Sequence, residues 1–387
     1  MCFFVPQQHR PAASSDHSFF EPFLPITTMH QTPAQQGFSM PAEWERHKAT
    51  WLGWPLNSED WPGKFVPIRW VYGEIVRAIT RGDELVRIVV DNERHEEQAR
   101  FVLGKVGVDM EKVEFFQCRM NRGWMRDCMP AFVKRTVASA SGLVSEHAAV
   151  KFTFNGWAKY DNWQFDNAIA NRISPLTGWN ILEAKFGKRQ VALEGGGIDV
   201  NGLGTLLTTE ECYLDPHVQV RNPGMGKAEM EQALKDNLGV SNILWLGKGI
   251  AGDDTHGHVD DLCRFVNPTT VVLVQEDNPY DANYRALEEN RERLEGMHLE
   301  NGSRIDVVPL PMPAPLVFDG MRLPASYANF YICNHAVLMP TFNDPNDRKA
   351  LGILAELFPD RTVIGIHAVD LVWGLGTLHC LTHEEPM

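Results

Sequence analysis

The feature that most constrains the fold is a weak repeat of short polar blocks along the chain. Starting at Asp127, the marked residue of each following block comes 67 residues on at Glu194, then 66 on at Asp260, 69 on at Asn329 and 51 on at Cys380. Such spacing predicts repeated units, each sending one loop toward a common axis. Coincidence explains the spacing equally well at this point, because loops are polar in any fold. The blocks are GlyTrpMetArgAsp (123–127), LeuGluGlyGlyGly (193–197), GlyHisValAspAsp (257–261), SerTyrAlaAsnPheTyr (326–331) and GlyThrLeuHisCys (376–380).

Strand-like and helix-like segments alternate between these blocks. LeuValArgIleValVal (85–90) is β-branched and predicts a buried strand, whereas residues 66–80 carry apolar side chains at helical spacing. Alternation of this kind predicts an α/β architecture. Further strands are predicted at 50–54, 271–274 and 362–366, and further helices at 93–103, 226–238, 281–296 and 346–358.

Composition excludes several classes of protein. The formal net charge of −14 argues against a nucleic-acid partner, whose phosphates require basic patches, and suits a cationic ligand; many proteins are also acidic simply to stay soluble. No apolar run approaches the roughly 20 residues of a membrane helix. The seven cysteines are odd in number and include no CxxC pair. This pattern favours free thiols in a reducing cytoplasm over a disulfide framework or a structural zinc site.

The first 37 residues differ from the rest of the chain. They are rich in Pro, Ser and Gln, and they predict a disordered extension. Met29 lies shortly before the first well-patterned segment, and we expect it to be the translation start.

Cys380 follows two glycines in TrpGlyLeuGlyThrLeuHisCys (373–380). Glycine allows a tight backbone close to a ligand, so this thiol is a candidate nucleophile. A buried structural cysteine is the more frequent case for any single thiol.

The segment GlyAspAspThrHisGlyHisValAspAsp (252–261) holds two histidines and four aspartates. One interpretation is a metal site built on His256, His258 and the aspartates. Another is a general acid/base, His258, beside a carboxylate, Asp260, that holds a cation. In an extended segment these two side chains project from the same face, and a strand follows at once, which favours the second interpretation. An acidic surface loop is the third possibility.

Two further carboxylates stand in marked blocks. Glu194 precedes three glycines and could partner His258 or a substrate N–H, or it could be a solvated turn residue. Asp127 could bind a guanidinium group, with Trp124 covering the apolar chain attached to that group. Alternatively, Asp127 could form a structural ion pair with Arg126. Together the blocks supply a thiol, an imidazole and several carboxylates. A planar cation with five N–H donors needs carboxylates to hold it, and its central carbon needs a strong nucleophile.

With these residues assembled, the sequence resembles the agmatine deiminase family, which is related to the bacterial peptidylarginine deiminases. The similarity runs from about residue 38 to the C-terminus. The resemblance implies one catalytic domain over residues 38–387 with the five-bladed α/β propeller of the guanidino-group-modifying superfamily. The matching segments are MetProAlaGluTrpGluArgHisLysAlaThrTrpLeuGlyTrpPro (40–55), TrpMetArgAsp (124–127), residues 193–212, GlyAspAspThrHisGlyHisValAsp (252–260), ProAlaSerTyrAlaAsnPheTyrIle (324–332) and LeuHisCysLeuThr (378–382).

The resemblance also implies a role for each marked residue. Cys380 matches the nucleophile and His258 the general acid/base, while Glu194 matches a carboxylate that binds substrate and assists proton transfer. Asp127 and Asp260 match the pair of carboxylates that clamps the guanidinium. Asp254 matches a further substrate-binding acid, and Trp124 matches an aromatic residue near the substrate. Two neighbourhoods depart from the family. AsnArgGly (121–123) stands where the family usually has Asn or Asp followed by Ser before the Trp, and GlyLeuGlyThrLeuHisCys (374–380) replaces GlyGlyGlyAsnIleHisCys.

The expected reaction is hydrolysis of agmatine, a small cationic guanidino compound, to N-carbamoylputrescine and ammonia through an amidino-cysteine intermediate, in putrescine synthesis. No metal or organic cofactor is expected. Rival interpretations are a deiminase of free or peptidyl arginine, a metal-dependent hydrolase built on His256 and His258, and a polyamine-binding protein without activity. The sequence leaves the oligomeric state open, a homo-oligomer included.

Overall fold

A computed structural model gives the fold and describes residues 31–139 and 142–387. The compact unit runs from Thr32 to Met387. Most of the extension predicted over residues 1–37, including Met29, lies outside the described residues; within its last part Ala34–Gln36 form one 3-10 turn. The predicted boundaries of the extension and the domain remain predictions.

Short strands dominate the described residues. They lie, in chain order as β1 to β20, at His47–Gly53, Leu85–Val90, Val113–Gln117, Ala131–Ser139, Gly142–Lys151, Ile181–Glu183, Lys185–Phe186, Arg189–Gln190, Asp199–Val200, Thr205–Thr209, Asn242–Leu246, Cys263–Asn267, Thr270–Gln275, Asp306–Pro311, Val317–Phe318, Met321–Arg322, Tyr331–Ile332, Ala336–Thr341, Thr362–His367 and Thr382–Pro386.

The α-helices fall between these strands. In chain order, as α1 to α10, they are Phe65–Thr80, Glu93–Val106, Met125–Cys128, Gln164–Asn167, Ile169–Thr177, Glu210–Leu214, Lys227–Leu238, Tyr284–Glu295, Pro345–Leu357 and Leu378–Leu381. The mixed α/β class and the predicted strand at 85–90 are confirmed. The longer predicted helices are also confirmed, with ends that shift by up to three residues.

One unit of structure recurs in five sheets of the described chain. Each contains an antiparallel pair of strands, followed through a helix by a third strand parallel to the second, in the orders β4-β5-β6, β9-β10-β11, β12-β13-β14, β17-β18-β19 and β20-β1-β2-β3. The last sheet joins the two ends of the described chain, because β20 pairs with β1 in the register Leu52 with Thr382 and Thr50 with Glu384.

The sequence pattern explains the recurring unit. The connecting helix α1 buries Ile68, Tyr72, Ile75 and Ile79, which share one face at helical spacing. The parallel strand β2 is buried along nearly its whole length, as expected for a strand covered on both faces. The described helices include none that is long and apolar enough to span a bilayer.

The repeat has a direct consequence for the marked polar blocks. Asp127, Glu194, Asp260, Asn329 and Cys380 each come two to five residues before the first strand of one of the five sheets. Equivalent positions in repeated units therefore carry the candidate functional residues, which is the physical origin of their near-equal spacing.

Candidate active site

Cys380 lies in the short helix α10 at the wall of a cavity of about 170 Å³. Of the residues singled out in the sequence, Trp124, Asp127 and Asp254 line the same cavity. His258, Glu194 and Asp260 lie immediately behind this wall, each at most 1% exposed. The structure thus brings together residues that are up to 256 positions apart in the chain, Trp124 and Cys380 being the most distant pair.

The glycine-rich loop before Cys380 is shaped by close approach. A Cβ on Gly376 would lie 2.9 Å from Cζ3 of Trp124 and 3.2 Å from Sγ of Cys380, so no larger residue fits without displacing them. Leu375 beside it adopts φ 67°, an uncommon left-handed conformation for a residue with a side chain. The predicted tight backbone at this position is confirmed.

The sulfur of Cys380 is surrounded by an amide and by carboxylates. Nδ2 of Asn329 donates to Sγ at 3.1 Å, and Oδ2 of Asp260 lies 3.6 Å away. Burial, reinforced by the nearby charges of Asp260, Asp261 and Asp127, raises the pKa of this thiol well above its ordinary value. In the free protein the thiol is therefore predominantly protonated, and a bound cation would favour its ionisation.

Asn329 is a residue to which the sequence analysis gave no role. Its Oδ1 accepts hydrogen bonds from the Thr377 hydroxyl at 2.7 Å and from the backbone N–H of His379 at 3.0 Å. These donors fix the orientation of the amide, so its NH₂ group must face Sγ of Cys380. Its position in the fourth polar block was the only sequence signal.

Asp127 is held by neutral donors. Its Oδ2 accepts from the indole N–H of Trp157 at 2.9 Å and its Oδ1 from the backbone N–H of Gly196 at 2.9 Å. Burial raises the pKa of the carboxyl, as do the charges of Asp260 and Glu194. Trp157 has φ 56° and is followed by Ala158 at φ 51°, a strained loop that aims the indole at Asp127. The sequence contained no signal for this contact.

His258 lies among three carboxylates. Its Nε2 is 3.4 Å from Oε2 of Glu194, and its Nδ1 is 4.0 Å from Oδ1 of Asp127 and 3.9 Å from Oδ1 of Asp260. Burial alone would lower the pKa of the imidazole, but Asp127 and Glu194 raise it well above the ordinary value. His258 is thus held as an imidazolium, a form that can donate a proton.

Glu194 is completely buried and accepts from Nε of Arg221 at 3.0 Å as well as facing His258. Burial raises the pKa of its carboxyl, but Arg221 and His258 more than offset that effect and the net pKa is lowered. Glu194 therefore stays ionised and orients His258 from behind. Arg221 has no counterpart in the sequence motifs.

Two buried polar atoms identify where a ligand can bind. Nδ1 of His258 and Oδ1 of Asp260 have no hydrogen-bond partner among the described residues, although both are inaccessible. Because a buried polar group without a partner is costly, such atoms are expected to meet a ligand. The free carboxylate oxygen of Asp260 and the carboxylate of Asp127 can together hold a planar cation beside Sγ of Cys380.

Two ion pairs also contribute residues to the lining of the cavity. Arg122 pairs with the buried Asp60, which also accepts from the indole N–H of Trp124. Lys159 pairs with Asp254 at 2.5 Å, and the Tyr160 hydroxyl donates to the same carboxylate at 2.7 Å. The predicted substrate-binding acid Asp254 therefore already has a cation of the chain itself as a partner.

Two sets of three side chains have the chemistry of metal ligands, namely Glu194 with Cys212 and His258, and Asp260 with Asp261 and Cys380. The metal site considered from the sequence was a different set, built on His256, His258 and the neighbouring aspartates. Nε2 of His256 bonds to Oδ2 of Asp215 at 2.9 Å, and His256 and His258 do not share a ligand set among the described residues.

The chain is similar to known proteins over most of its length. The model of the Porphyromonas-type peptidyl-arginine deiminase family matches residues 39–386. Agmatine deiminase from Medicago truncatula is 34% identical, over 92% of this chain and 99% of that protein. Two solved structures are similar: agmatine deiminase of Enterococcus faecalis, with 31% identity and a TM-score of 0.83 over 92% of this chain and 98% of that one, and a Cys-to-Ser variant of C. jejuni agmatine deiminase with substrate bound, with 27% identity and a TM-score of 0.77 over 90% and 96%.

Proposed function

The chain belongs to the Porphyromonas-type peptidyl-arginine deiminase family, and on that premise we propose that it hydrolyses agmatine to N-carbamoylputrescine and ammonia. It is a hydrolase of the guanidino C–N bond. The observation that carries the proposal is the convergence of the Cys380 thiol, the Asp127 and Asp260 carboxylates and the His258 imidazolium at one cavity.

Substrate binding prepares the nucleophile. The guanidinium lies between Asp127 and Oδ1 of Asp260, with its central carbon facing Sγ of Cys380. Its positive charge offsets the carboxylates that raise the pKa of the thiol, so the thiol releases its proton to solvent water when the substrate binds. The N–H of Asn329, 3.1 Å from Sγ, stabilises the resulting thiolate.

The thiolate then attacks the guanidinium carbon and forms a C–S bond. His258 gives its proton to the departing nitrogen, which leaves as ammonia, and an amidino-cysteine remains. Water, deprotonated by His258, attacks the same carbon, and the C–S bond breaks to release N-carbamoylputrescine and regenerate the thiolate. Glu194 holds the imidazole in position through both steps. Formation of this product places the enzyme in putrescine synthesis.

Finer features of the protein belong to the same proposal. Five recurring sheets support a five-bladed α/β propeller, formed by one catalytic domain over residues 38–387. The cysteines of the described chain are all free thiols, which supports a reducing, cytoplasmic location. The state of assembly, including a homo-oligomer, is open to measurement by light scattering.

Free arginine is a second candidate substrate because one observation favours it. Arg122 lines the cavity at the departure from the family pattern, and a substrate carboxylate requires a cationic partner of this kind. Asp60 neutralises part of its charge. Agmatine remains the first choice because the three relatives described above by name are agmatine deiminases.

A colour assay for ureido products tests the proposal on agmatine, arginine and a blocked arginine peptide. We expect the highest kcat/KM with agmatine, complete loss after iodoacetamide and no loss with EDTA. Loss with EDTA that added metal reverses would instead favour a metal-dependent hydrolase. Equal inertness toward all three substrates would contradict deimination.

A further inference from the structure

His379 immediately precedes Cys380, yet its side chain lies behind the cavity wall among charged groups. Its Nδ1 is 2.7 Å from Oδ2 of Asp260, and its Nε2 is 2.7 Å from Oε2 of Glu43. All three side chains are nearly inaccessible, with at most 6% of each exposed. Both ring nitrogens of one buried histidine therefore face carboxylates at hydrogen-bonding distance.

The hydrogen-bonding role of His379 follows from its two partners. Burial alone would raise the pKa of the Glu43 carboxyl, but Arg264, His379 and Arg126 hold it well below its ordinary value. Burial acts in the same direction on Asp260, and the hydrogen bond and charge of His379 bring the net pKa of that carboxyl below its ordinary value. Ionised carboxylates only accept hydrogen bonds, so both nitrogens of His379 must donate. A hydrogen bond to an ionised carboxylate is charge-assisted and therefore strong, so these two contacts fix the ring firmly between Asp260 and Glu43.

Glu43 is itself fixed from several directions. Its Oε1 accepts from the backbone N–H of Ile332 at 2.8 Å, while its Oε2 also meets Nη2 of Arg126 at 3.2 Å and Nη2 of Arg264 at 3.1 Å. This residue belongs to the segment MetProAlaGluTrp (40–44), to which the proposed mechanism gives no role. The segment thus ties the N-terminal part of the domain to the residue beside the nucleophile.

The consequence concerns Asp260. Its Oδ2 is occupied by His379, which leaves Oδ1 as the carboxylate oxygen available to a guanidinium. Asp260 is also completely buried near Asp127 and Asp261. Neighbouring buried acids favour proton uptake, and a protonated Asp260 could not bind a cation as an anion. The hydrogen bond from His379 to Oδ2 of Asp260 lowers the pKa of that carboxyl and so opposes the uptake.

We propose that Glu43 and His379 are positioning residues that form a buried hydrogen-bonded bridge from Glu43 through the His379 ring to Asp260. The bridge directs Oδ1 of Asp260 toward the guanidinium and keeps the carboxylate charged before substrate arrives. This inference rests on the proposed function, because it assigns Asp260 to guanidinium binding. Neither residue touches the substrate, and both act through Asp260.

The first test measures binding apart from chemistry. In the full-length Cys380→Ser protein, calorimetric titration with agmatine at pH 7 gives Kd with and without His379→Gln or Glu43→Gln. We expect Kd to rise about 10- to 100-fold with His379→Gln and less with Glu43→Gln, since Arg126 and Arg264 still hold the altered side chain. With Cys380 intact, KM should rise more than kcat falls. A purely structural role would lower thermal stability and leave Kd of the folded fraction unchanged, and that result would overturn the bridge.

His383 provides a matched control. It is another buried histidine of the same C-terminal segment, 3% exposed, but its Nε2 faces the carbonyl oxygen of Pro130 at 2.9 Å rather than a carboxylate. Burial lowers its pKa to about 4, so it is neutral at pH 7. His383→Gln should leave the Kd for agmatine within about 2-fold of the parent, since no charge in contact with the site changes.

A second test needs no substrate. In ¹⁵N-histidine-labelled protein, the His379 signal should show protons on both ring nitrogens at pH 7, whereas His383 should show one. The His379 signal is assigned by its loss in His379→Gln or, where that variant does not fold, by its shift in Glu43→Gln. A single protonated nitrogen on His379 would refute the bridge and leave the proposed function intact. Failure of agmatine to bind the Cys380→Ser protein would refute the proposed function. The NMR measurement would then still decide whether the bridge between Glu43, His379 and Asp260 exists.

Discussion

The two ends of the cavity handle charge in opposite ways. At the head end, defined by Cys380, Asp127 and Asp260, Asp127 receives hydrogen bonds from neutral donors and Asp260 retains a free oxygen. At the tail end, defined by the pairs Arg122–Asp60 and Lys159–Asp254, each acid already contacts a cation of the chain.

This difference separates the reaction from the choice of substrate. Among the carboxylate oxygens of the head end, Oδ1 of Asp260 has no hydrogen-bond partner in the described residues, so this end can accept the N–H groups of a guanidinium and specifies the group that reacts. The tail end is nearly neutral and offers both signs of charge. It therefore discriminates less strongly between substrates that differ in the group far from the guanidinium, such as an amine or a carboxylate. Substitutions at the two ends should therefore differ in both size and character.

The largest effect is expected at the nucleophile. Cys380→Ser should lower kcat by roughly 10⁴-fold or more, because a serine hydroxyl is not ionised under conditions that ionise the thiol. Agmatine should still bind, since Asp127 and Asp260 are intact. Steady-state assays measure the fall in kcat, and calorimetry measures agmatine binding. Cys118→Ser, at a thiol far from the cavity lining, is the control and should retain most activity.

A direct comparison of the two ends uses the same substitution at each. Asp260→Asn should lower kcat/KM for agmatine by about 10²- to 10³-fold, because the buried guanidinium of the substrate loses one of its two carboxylate partners. Asp254→Asn should cost about 10-fold or less, because Lys159 already screens that charge. Equal losses in the two variants would show that the ends do not differ as described.

Thiol alkylation probes the charge of the head end without substrate. Burial and three carboxylates raise the pKa of Cys380, so the thiolate fraction is small at pH 7 and grows as pH rises toward and beyond the ordinary thiol value. The rate of inactivation by iodoacetamide should increase close to 10-fold per pH unit from pH 7 to 9. In Asp260→Asn, loss of one negative charge should lower the pKa and speed the reaction at pH 7 several-fold. A rate independent of pH would contradict the raised pKa.

The difference between the two ends also describes what the sequence could predict. Spacing pointed to Asp127, Glu194, Asp260 and Cys380, because each comes shortly before the first strand of one of the repeated sheets. His258 was found because it lies in the same polar block as Asp260. Whether each performs its predicted role remains to be tested by substitution.

Other contacts were beyond reach because nothing local encodes them. Arg221, Trp157 and the Arg122–Asp60 pair reach their partners through tertiary packing across 27, 30 and 62 residues of chain, and a sequence pattern of short period carries no record of such pairings. The contact between Nε2 of His256 and Oδ2 of Asp215, 41 residues apart in the chain, is of the same kind, and no sequence pattern predicted it.

The smallest effect, and the sharpest test of the tail end, comes from Arg122. The Arg122 guanidinium pairs with Asp60 and lies over the rings of Tyr160, at 3.9 Å, and Trp157, at 5.6 Å. Its Nε has no hydrogen-bond partner among the described residues, so donors remain for a substrate carboxylate. Arg122→Gln should therefore lower kcat/KM for arginine about 5- to 10-fold relative to agmatine, the range of one partly screened ion pair. Arg119→Gln removes the same charge from an exposed neighbour outside the cavity lining, and it should leave the ratio of the two substrates unchanged. An equal fall for both substrates with Arg122→Gln would mean that this arginine only supports Asp60 and Trp124, and the tail end would then have no part in choosing between them.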